Sequence, residues 1–403
     1  MRSRPRIAVI SPFLDKQHGT ERCVAEQVER LSRRYEVHVY SSRVDDVNLS
    51  CALVWHRIPA LPGPHLVAYC WWFIANHLWR WWDRRFHGMR FDLTYTPGIN
   101  CLDADVISVH IIFAELRRQG RDGLSLRLNP LSSWARLIHR RLYYRLIMKL
   151  ERVIYSRKRF LLTAISRKTA KNLKRFGPCE IPVIYYGLDP EQFNPGNCSR
   201  WRNQSRNLLG VPETALCLLF VGNDWKNKGL ITLLEAAGYL RSANIRLLIL
   251  GRDDPTPYQS AIKRQGLEHR TVFLPPRSDV EFYYSAADAY VSPTLEDAFG
   301  LPALETMACG LSVIVSSRAG VSEIITDRVD GLVLKDPEDV ACLADMISEL
   351  HNHPALRQIL GGNAARTARQ YTWDRNAAQL SSLFEQAIAR RADQDKLTLQ
   401  EVG

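Results

Sequence analysis

The chain has 403 residues, a length that favours two domains, possibly three. Its residues are 46% apolar and 24% charged, which is typical of a globular protein and not of a disordered chain. Its net charge of +12 is concentrated in residues 136–175, which carry fourteen Lys or Arg and one acid, Glu151. A transmembrane helix and a signal peptide are not expected, since apolar runs are short and 7–10 is the one near the start.

The N-terminal part opens with the pattern of a strand, a loop, a helix and a second strand. Arg6–Ile10 is apolar like a buried parallel strand, and 21–33 repeats apolar residues on one helix face. Further strands are predicted at 36–40, 92–95, 106–110, 160–165 and 183–186. This pattern predicts a Rossmann-like domain over 1–195.

The pattern restarts after residues 194–210, whose polar composition is typical of an interdomain linker. Helices alternate with strands predicted at 216–221, 245–250, 271–274, 289–292, 312–315 and 331–334. We therefore expect an α/β protein of two doubly wound domains facing a cleft, the second over 206–372. The tail, 373–403, is predicted to be a helix that could return to the first domain. The nine isolated cysteines indicate reduced thiols in a cytoplasmic protein.

Residues 292–310 carry the most specific pattern. Asp297 and Glu305 are eight positions apart, and Pro302 suits the first turn of a helix. Gly300 lets the backbone approach a ligand, and the N–H groups at such a helix start can hold a diphosphate or a sugar hydroxyl. Two readings are open for the acids: Asp297 contacts a sugar and Glu305 a ribose, or Asp297 caps the helix and Glu305 is a buried, paired acid.

This segment closely resembles the signature of the retaining glycosyltransferases of family 4, also called glycosyl transferases group 1, which have the GT-B fold. Other pieces follow the family's order and spacing: 18–21, 186–195, 220–230, 320–325 and 330–333. The resemblance covers nearly the whole chain, strongly over 180–375 and more weakly over 40–160. It implies transfer of a sugar from a nucleoside diphosphate with retention, and it does not specify the sugar.

The resemblance implies a role for individual residues. Lys228 is the expected contact of the donor diphosphate, and Asp297 stands where the family has Glu, with Glu296 just before it. An Arg that the family often carries is replaced by Asn223, so Lys226, Arg252 or Arg318 would have to supply the second cation. The catalytic candidates are His110, Lys228, Asp297 and Glu305. The donor-binding candidates are Gly19, Thr20, Gly222, Asn223, Gly251, Arg252, Arg277, Glu296, Phe299, Gly300 and Leu301.

Two of these assignments depend on position more than on residue type. His110 ends the predicted strand 106–110, and a lone His is more often structural, but the family has a sugar-contacting His there. Gly19 is a turn glycine by default and a donor- or acceptor-lining glycine by resemblance. The loops at Gly251-Arg252 and at Arg277 stand where the family holds the nucleobase, and they do not distinguish UDP from GDP.

No metal or other cofactor is expected. Asp103 and Asp105 have D-x-D spacing but precede a predicted strand of the first domain, which is the wrong end for a donor site. The adjacent acids at 45–46 and 253–254 look like loop residues. The resemblance implies front-face displacement, in which the leaving phosphate accepts the acceptor's proton while Lys228 and the helix N-terminus stabilise the charge.

Two segments of the first domain have the composition of a membrane-surface element. Five of the ten Trp lie in 71–82, and 137–150 interleaves apolar and basic residues at near-helical spacing. Peripheral binding to an anionic membrane through 71–82 and 136–175 is one hypothesis. A Trp-rich core helix beside a solvated basic helix is the other.

The sequence therefore predicts a metal-independent hexosyltransferase-type enzyme, cytoplasmic or peripheral on the inner face of the membrane. It would take a nucleotide sugar and a glycan or lipid-linked acceptor in cell-envelope or polysaccharide biosynthesis, with no nucleic-acid partner. The alternatives are a nucleotide-sugar epimerase, an inactive sugar-nucleotide sensor and a nucleic-acid-binding protein. A nicotinamide oxidoreductase is disfavoured, since 11–20 has one glycine and not a G-x-G-x-x-G turn.

Overall fold

The computed structural model describes residues 4–16, 19–48, 52–118, 134–157, 159–177, 180–277 and 279–402, without the side chains of 134–136 and 394–402. Its contacts divide the chain into a first unit, Met1–Tyr185 with Asp374–Gly403, and a second unit, Tyr186–Trp373. The division falls earlier than residue 195, and the C-terminal segment belongs to the first unit.

The strands are short and mostly buried. In chain order they are β1 Arg6–Ile10, β2 Phe13–Leu14, β3 Glu36–Ser41, β4 Arg43–Val44, β5 Leu53–Arg57, β6 Leu93–Pro97, β7 Val106–Val109, β8 Leu161–Ala164, β9 Leu216–Val221, β10 Ile245–Leu250, β11 Thr271–Leu274, β12 Ala289–Ser292, β13 Ser312–Ser316 and β14 Leu332–Leu334.

The α-helices connect these strands and cover the sheets. In chain order they are α1 Gly19–Leu31, α2 His65–Phe86, α3 Phe113–Arg118, α4 Trp134–Tyr155, α5 Arg167–Leu173, α6 Pro195–Leu208, α7 Leu230–Tyr239, α8 Gln259–Gln265, α9 Val280–Ala286, α10 Leu301–Ala308, α11 Val340–Asn352, α12 Pro354–Ala368 and α13 Trp373–Val402. Within the described ranges, none of them is long and apolar enough to cross a membrane.

Each unit contains one six-stranded parallel sheet with the same order of strands. The first sheet runs β5-β3-β1-β6-β7-β8, and the second runs β11-β10-β9-β12-β13-β14. In both, the first strand of the unit lies in the middle and the chain then changes direction across the sheet. The switch points are therefore the β1/β6 and β9/β12 boundaries, where ligands of doubly wound sheets bind.

Alternation along the strands explains why each sheet is covered on both faces. In β1, Ile7 and Val9 join one apolar cluster, whereas Ala8 and Ile10 join another on the opposite face. In the second unit, β9 contributes Leu216, Leu218 and Phe220 to a cluster with the helices that follow. Strands apolar on both faces are those that the sequence pattern identifies most readily.

The structure corrects three sequence-based expectations. The predicted linker 194–210 contains α6, whose N-cap Asn194 accepts a hydrogen bond from the Asn197 N–H and whose first position is Pro195. Its polar composition reflects a helix with few buried side chains. Residues 183–186 form a single bridge at Val183 and not a strand. β5 is absent from the predicted strands because its residues are mostly not buried.

α13 returns to the first unit and completes its core. Asn376 accepts a hydrogen bond from the Gln27 amide at 2.8 Å, and Gln27 in turn accepts one from the Tyr95 hydroxyl at 2.8 Å. Phe384 is fully buried, with ring centroids 5.9 Å from Tyr35 and 5.3 Å from Tyr95. The last helix therefore packs on the first sheet, whose strands come from residues far earlier in the chain.

Replacing Phe384 with Ala should lower the free energy of unfolding by about 3–5 kcal/mol, because a buried aromatic ring is lost and a cavity remains. Urea denaturation measures the change, and the exposed Gln379→Ala on the same helix is the control. Equal stability of the two variants would mean that α13 does not contribute to the core of the first unit.

Candidate functional site

The carboxyl end of the second sheet gathers most of the residues that the sequence identifies. The loops after β9, β10 and β12 start at neighbouring strands of this parallel sheet, so they meet at one edge. They contain Gly222 and Lys228, then Gly251, then Asp297 and Gly300. This edge includes the β9/β12 switch point.

Lys228 and Asp297 form an ion pair across the switch point, between the Lys228 Nζ and the Asp297 Oδ2. Both side chains are partly exposed. The lysine stem lies over Gly222, where a Cβ would stand 3.3 Å from the Lys228 Cε. Gly222 also has a φ of 141°, so its backbone favours glycine as well. The glycine leaves room for Lys228 to reach the acid on the neighbouring loop.

Asp297 does not cap α10. The N-cap is Gly300, with a left-handed backbone and no side-chain cap hydrogen bond, and Pro302 lies in the first turn as expected. The Asp297 Oδ1 accepts the Phe299 N–H at 3.2 Å, an Asx-turn that bends the chain just before the helix. Of the two readings for Asp297, helix capping is therefore wrong.

Glu305 is only 2% exposed, and its Oε2 accepts a hydrogen bond from the Tyr284 hydroxyl at 2.7 Å. The pKa of the Tyr284 phenol is raised mainly by burial and further by the neighbouring Glu305 carboxylate, so the phenol remains a hydrogen-bond donor. Glu305 is thus a buried, paired acid in this structure. Tyr284, on α9, is a partner that the sequence reasoning missed, because no motif links the two positions.

Side chains hold the loops after β9 and β10 together. The Asp253 carboxylate accepts the N–H groups of Asp224 at 3.1 Å and Trp225 at 2.7 Å. In the other direction, the Asn223 Oδ1 accepts the Arg252 N–H at 3.0 Å. Asp253 is therefore a structural acceptor and not the simple loop acid that the sequence suggests. Its signal was weak, since an Asp-Asp pair after a strand is common in loops.

Glycine is required where these two loops touch. A Cβ on Gly251 would stand 2.4 Å from the Gly222 carbonyl oxygen and 2.4 Å from the Trp225 Nε1. The Trp225 indole donates to that same carbonyl at 2.8 Å and is buried. The contact of the two loops therefore depends on the absence of a side chain at position 251.

The other candidate residues of the second unit lie around this edge. Glu296 is half-buried, and its carbonyl accepts the Asn227 amide at 2.8 Å. Phe299 is buried against Tyr186, with ring centroids 5.2 Å apart. Leu301 starts α10 and is buried. The candidate cations do not cluster. Lys226 and Arg252 are exposed, and the Arg318 guanidinium lies 3.6 Å from an Asp336 carboxylate oxygen. Arg277 donates two hydrogen bonds of 2.7 Å to Asp279.

His110, Gly19 and Thr20 belong to the first unit. His110 directly follows β7 and is buried, and this burial lowers its pKa to about 3, so the imidazole is neutral. Gly19 and Thr20 form the first turn of α1 and not a loop, and a Cβ on Gly19 would meet open space. His18, the first residue of the 18–21 motif, lies outside the described residues.

The D-x-D acids of the first unit are engaged in structural contacts. Asp103 binds Arg80 through two hydrogen bonds of 2.7 and 2.8 Å; burial alone would raise its pKa, but hydrogen bonds from His77 and Arg80 lower it. Asp105 accepts the Thr94 N–H at 2.7 Å. In the part of the chain that the structure describes, no group of three or more His, Cys, Asp or Glu could hold a metal ion.

The Asp253→Asn substitution should destabilise the loop after β9, because one acceptor oxygen becomes a donor facing a backbone N–H. We expect the free energy of unfolding to fall by about 1–3 kcal/mol and the backbone N–H groups of Asp224 and Trp225 to exchange faster. Asp254→Asn is the matched control, since Asp254 is exposed and accepts the Thr256 N–H within its own loop. If both variants exchange alike, the Asp253 contacts do not order the loop.

Burial of neutral His110 should make the first unit acid-sensitive. The unfolded chain binds a proton at this side chain below pH ~6.5, whereas the folded state resists protonation down to its pKa of about 3. The free energy of unfolding should therefore fall with decreasing pH in this window, by up to ~1.4 kcal/mol per pH unit. Denaturation from pH ~7 to ~5 should show a smaller slope for His110→Gln, whereas exposed His65→Gln should match the parent.

Two family descriptions match the chain in succession. "Glycosyl transferases group 1" matches residues 202–367 in the second unit, and "Glycosyltransferase Family 4" matches residues 18–192. D-inositol 3-phosphate glycosyltransferase of Corynebacterium glutamicum is 33% identical over 223 residues, 53% of this chain and 53% of that protein. The chain spans about half the length of the curated relatives it matches.

Solved structures agree with the fold over almost the whole chain. WaaG, a glycosyltransferase involved in lipopolysaccharide biosynthesis, superposes with a TM-score of 0.75 at 19% identity, covering 94% of this chain and 99% of WaaG. Anabaena HepE, in complex with UDP and glucose, gives 0.67 at 18% identity, covering 95% and 100%. The two Rossmann-like units, the residues at the β9/β12 switch point and the two matched family descriptions lead to one conclusion: the chain belongs to the family 4 glycosyltransferases and has their GT-B fold.

Proposed function

We propose that the protein transfers a sugar from a nucleoside diphosphate, UDP or GDP, to a glycan or lipid-linked acceptor, with retention at the anomeric carbon. The reaction would serve cell-envelope or polysaccharide biosynthesis. Family membership supports the reaction class. The structure of HepE with UDP and glucose supports a nucleotide sugar as donor, and the involvement of WaaG in lipopolysaccharide biosynthesis supports an envelope glycan as product.

The observation that carries this proposal is the Lys228–Asp297 ion pair at the β9/β12 switch point, beside the N-terminus of α10. A donor diphosphate would compete with Asp297 for the ammonium of Lys228. The freed carboxylate could then accept hydrogen bonds from sugar hydroxyls, while Lys228 and the helix N–H groups stabilise the leaving phosphate. One pair of residues would thus serve both halves of the donor.

Glu305 has a different part in this proposal. Its buried carboxylate accepts the Tyr284 hydroxyl and so ties α10 to α9. A ribose that reaches Glu305 would share the carboxylate with Tyr284 or displace it. The first unit would supply the acceptor side, with His110, Gly19 and Thr20 as its candidates.

We further propose that the transfer needs no divalent metal. Lys228 and the N-terminus of α10 would supply the positive charge that a metal ion supplies in other nucleotide-sugar enzymes. Restoration of turnover by magnesium or manganese, after a chelator has abolished it, would contradict this part of the proposal.

Calorimetric titration with UDP, GDP, ADP and NAD, each with and without chelator, tests the donor site. We expect one nucleoside diphosphate to bind independently of chelator, and Lys228→Ala and Glu305→Ala to lose that binding. In a turnover assay with the matching sugar nucleotide, Lys228→Ala should lose roughly 10²–10³ in rate. Lys263→Ala, an exposed lysine on α8, is the matched control.

The products separate the remaining alternatives. NMR of the glycoside should show the anomeric configuration of the donor, because the proposal is retention. Donor consumption without acceptor and without a glycoside would indicate an epimerase. Tight binding of a sugar nucleotide without any turnover would indicate an inactive sensor, and binding of NAD alone would remove the donor-site proposal.

A further inference from the structure

The helix α2 leaves an apolar stripe uncovered along its length. Six large side chains on it are roughly half exposed or more: Val67, Ile74, Leu78, Trp81, Trp82 and Phe86. Apart from the adjacent Trp81 and Trp82, they are spaced three, four or seven residues apart, which places them on one broad face. The opposite face is buried through Trp72, Ala75, Asn76, Arg80 and Asp83. The Trp-rich segment is therefore only partly a core element.

The stripe ends in an aromatic cluster of Trp81, Trp82 and Phe86. Trp81 and Trp82 are 56% and 53% exposed. The Phe86 ring lies 4.3 Å from Trp82 and 6.2 Å from Trp81 between centroids, and the Arg85 guanidinium lies 5.6 Å above Phe86. Large indole rings beside arginine, without cover from the described chain, are typical of a membrane–water interface.

The helix α4 packs against the N-terminal part of α2. The His139 Nε2 accepts the Leu66 N–H at 3.1 Å, and the rings of Tyr69 and Tyr143 are 5.9 Å apart. The exposed face of α4 begins with Ile138 and Leu142. It continues with basic side chains at the same helical spacing: Arg145, Lys149 and Arg152.

The charges that these two helices expose are all positive. The two acids of these helices are buried and hydrogen-bonded. Asp83 accepts the Tyr40 hydroxyl at 2.7 Å. Glu151 accepts the N–H groups of Phe113 and Ala114 at 2.6 and 2.9 Å. The exposed charged residues on them are Arg84, Arg85, Arg140, Arg145, Lys149 and Arg152. Removal of the acids from the surface leaves an apolar stripe with an unopposed basic border.

We propose that the exposed sides of α2 and α4 form one docking face for a bilayer that contains anionic lipid. The aromatic cluster and the aliphatic stripe would enter the headgroup region, and the basic residues would pair with lipid phosphates. A second copy of the chain fits less well, because a symmetric contact would oppose two basic faces. The proposal goes beyond the transferase reaction, since it rests on no residue of the donor site.

Flotation of the full chain with vesicles tests the docking face. We expect binding to phosphatidylcholine vesicles that contain phosphatidylglycerol, and much weaker binding to phosphatidylcholine alone. The double substitution Trp81→Ser/Trp82→Ser should reduce partition at least ~10-fold. Its matched control is Leu208→Ser/Ile359→Ser, which changes residues 69% and 61% exposed in the second unit and should bind as the parent does.

A second variant tests the charge. Arg84→Gln/Arg85→Gln should weaken binding to the anionic vesicles by roughly fivefold for each arginine, and high salt should have the same effect on the parent. Equal binding to both vesicle types, or binding that neither double substitution changes, would overturn the proposal. The proposal would also be overturned if the protein formed a dimer in lipid-free sedimentation, or bound RNA, and Trp81→Ser/Trp82→Ser abolished that association.

Two measurements keep these results interpretable. Circular dichroism melting shows whether each variant is folded, and Leu78→Ser replaces the tryptophan variant if that one is not. Nucleotide titration of the same variants should be unchanged. If a variant loses vesicle binding and still binds nucleotide, the effect is assigned to the docking face. If the protein binds vesicles and no nucleotide, only the donor-site proposal is contradicted.

Discussion

The meeting of Lys228 and Asp297 is the interaction on which the candidate site depends. The two residues are 69 positions apart, and they meet because β9 and β12 are neighbours at the point where the chain changes direction across the sheet. A partly exposed ion pair contributes little to stability. Its importance is positional, since it places a cation and an anion at the start of a helix that has no side-chain cap.

The loops that carry this pair are ordered by side-chain acceptors. Asp253 and Asn223 satisfy backbone N–H groups that no strand or helix can pair, and Gly251 lets the two loops touch. Asn223 stands where the resemblance implies an Arg. In this chain the Asn223 amide connects the loops after β9 and β10, so the residue at this position has a structural role in place of a cationic one. A site that is arranged before its ligand arrives loses less free energy on binding.

The first unit combines a buried neutral histidine, a returning C-terminal helix and an uncovered aromatic stripe. Each reflects how polar and apolar groups are divided between interior and surface. His110 is buried and neutral, the acids of α2 and α4 are buried and paired, and the indoles of Trp81 and Trp82 remain outside. The proposed division of labour follows: the second unit holds the donor, and the first unit faces the acceptor and the lipid surface.

The sequence by itself determined most strands of the two sheets and the motif. Continuous apolar runs such as Leu216–Val221 identify buried strands, and the spacing of Asp297, Gly300 and Pro302 identifies a helix start, because these signals are local. Only the tertiary structure decided that Glu305 pairs with Tyr284 and that Asp253 holds the loop after β9. It also decided which tryptophans of α2 are exposed. Such facts depend on partners distant in the chain, and burial is a property of the packed fold that local spacing does not encode.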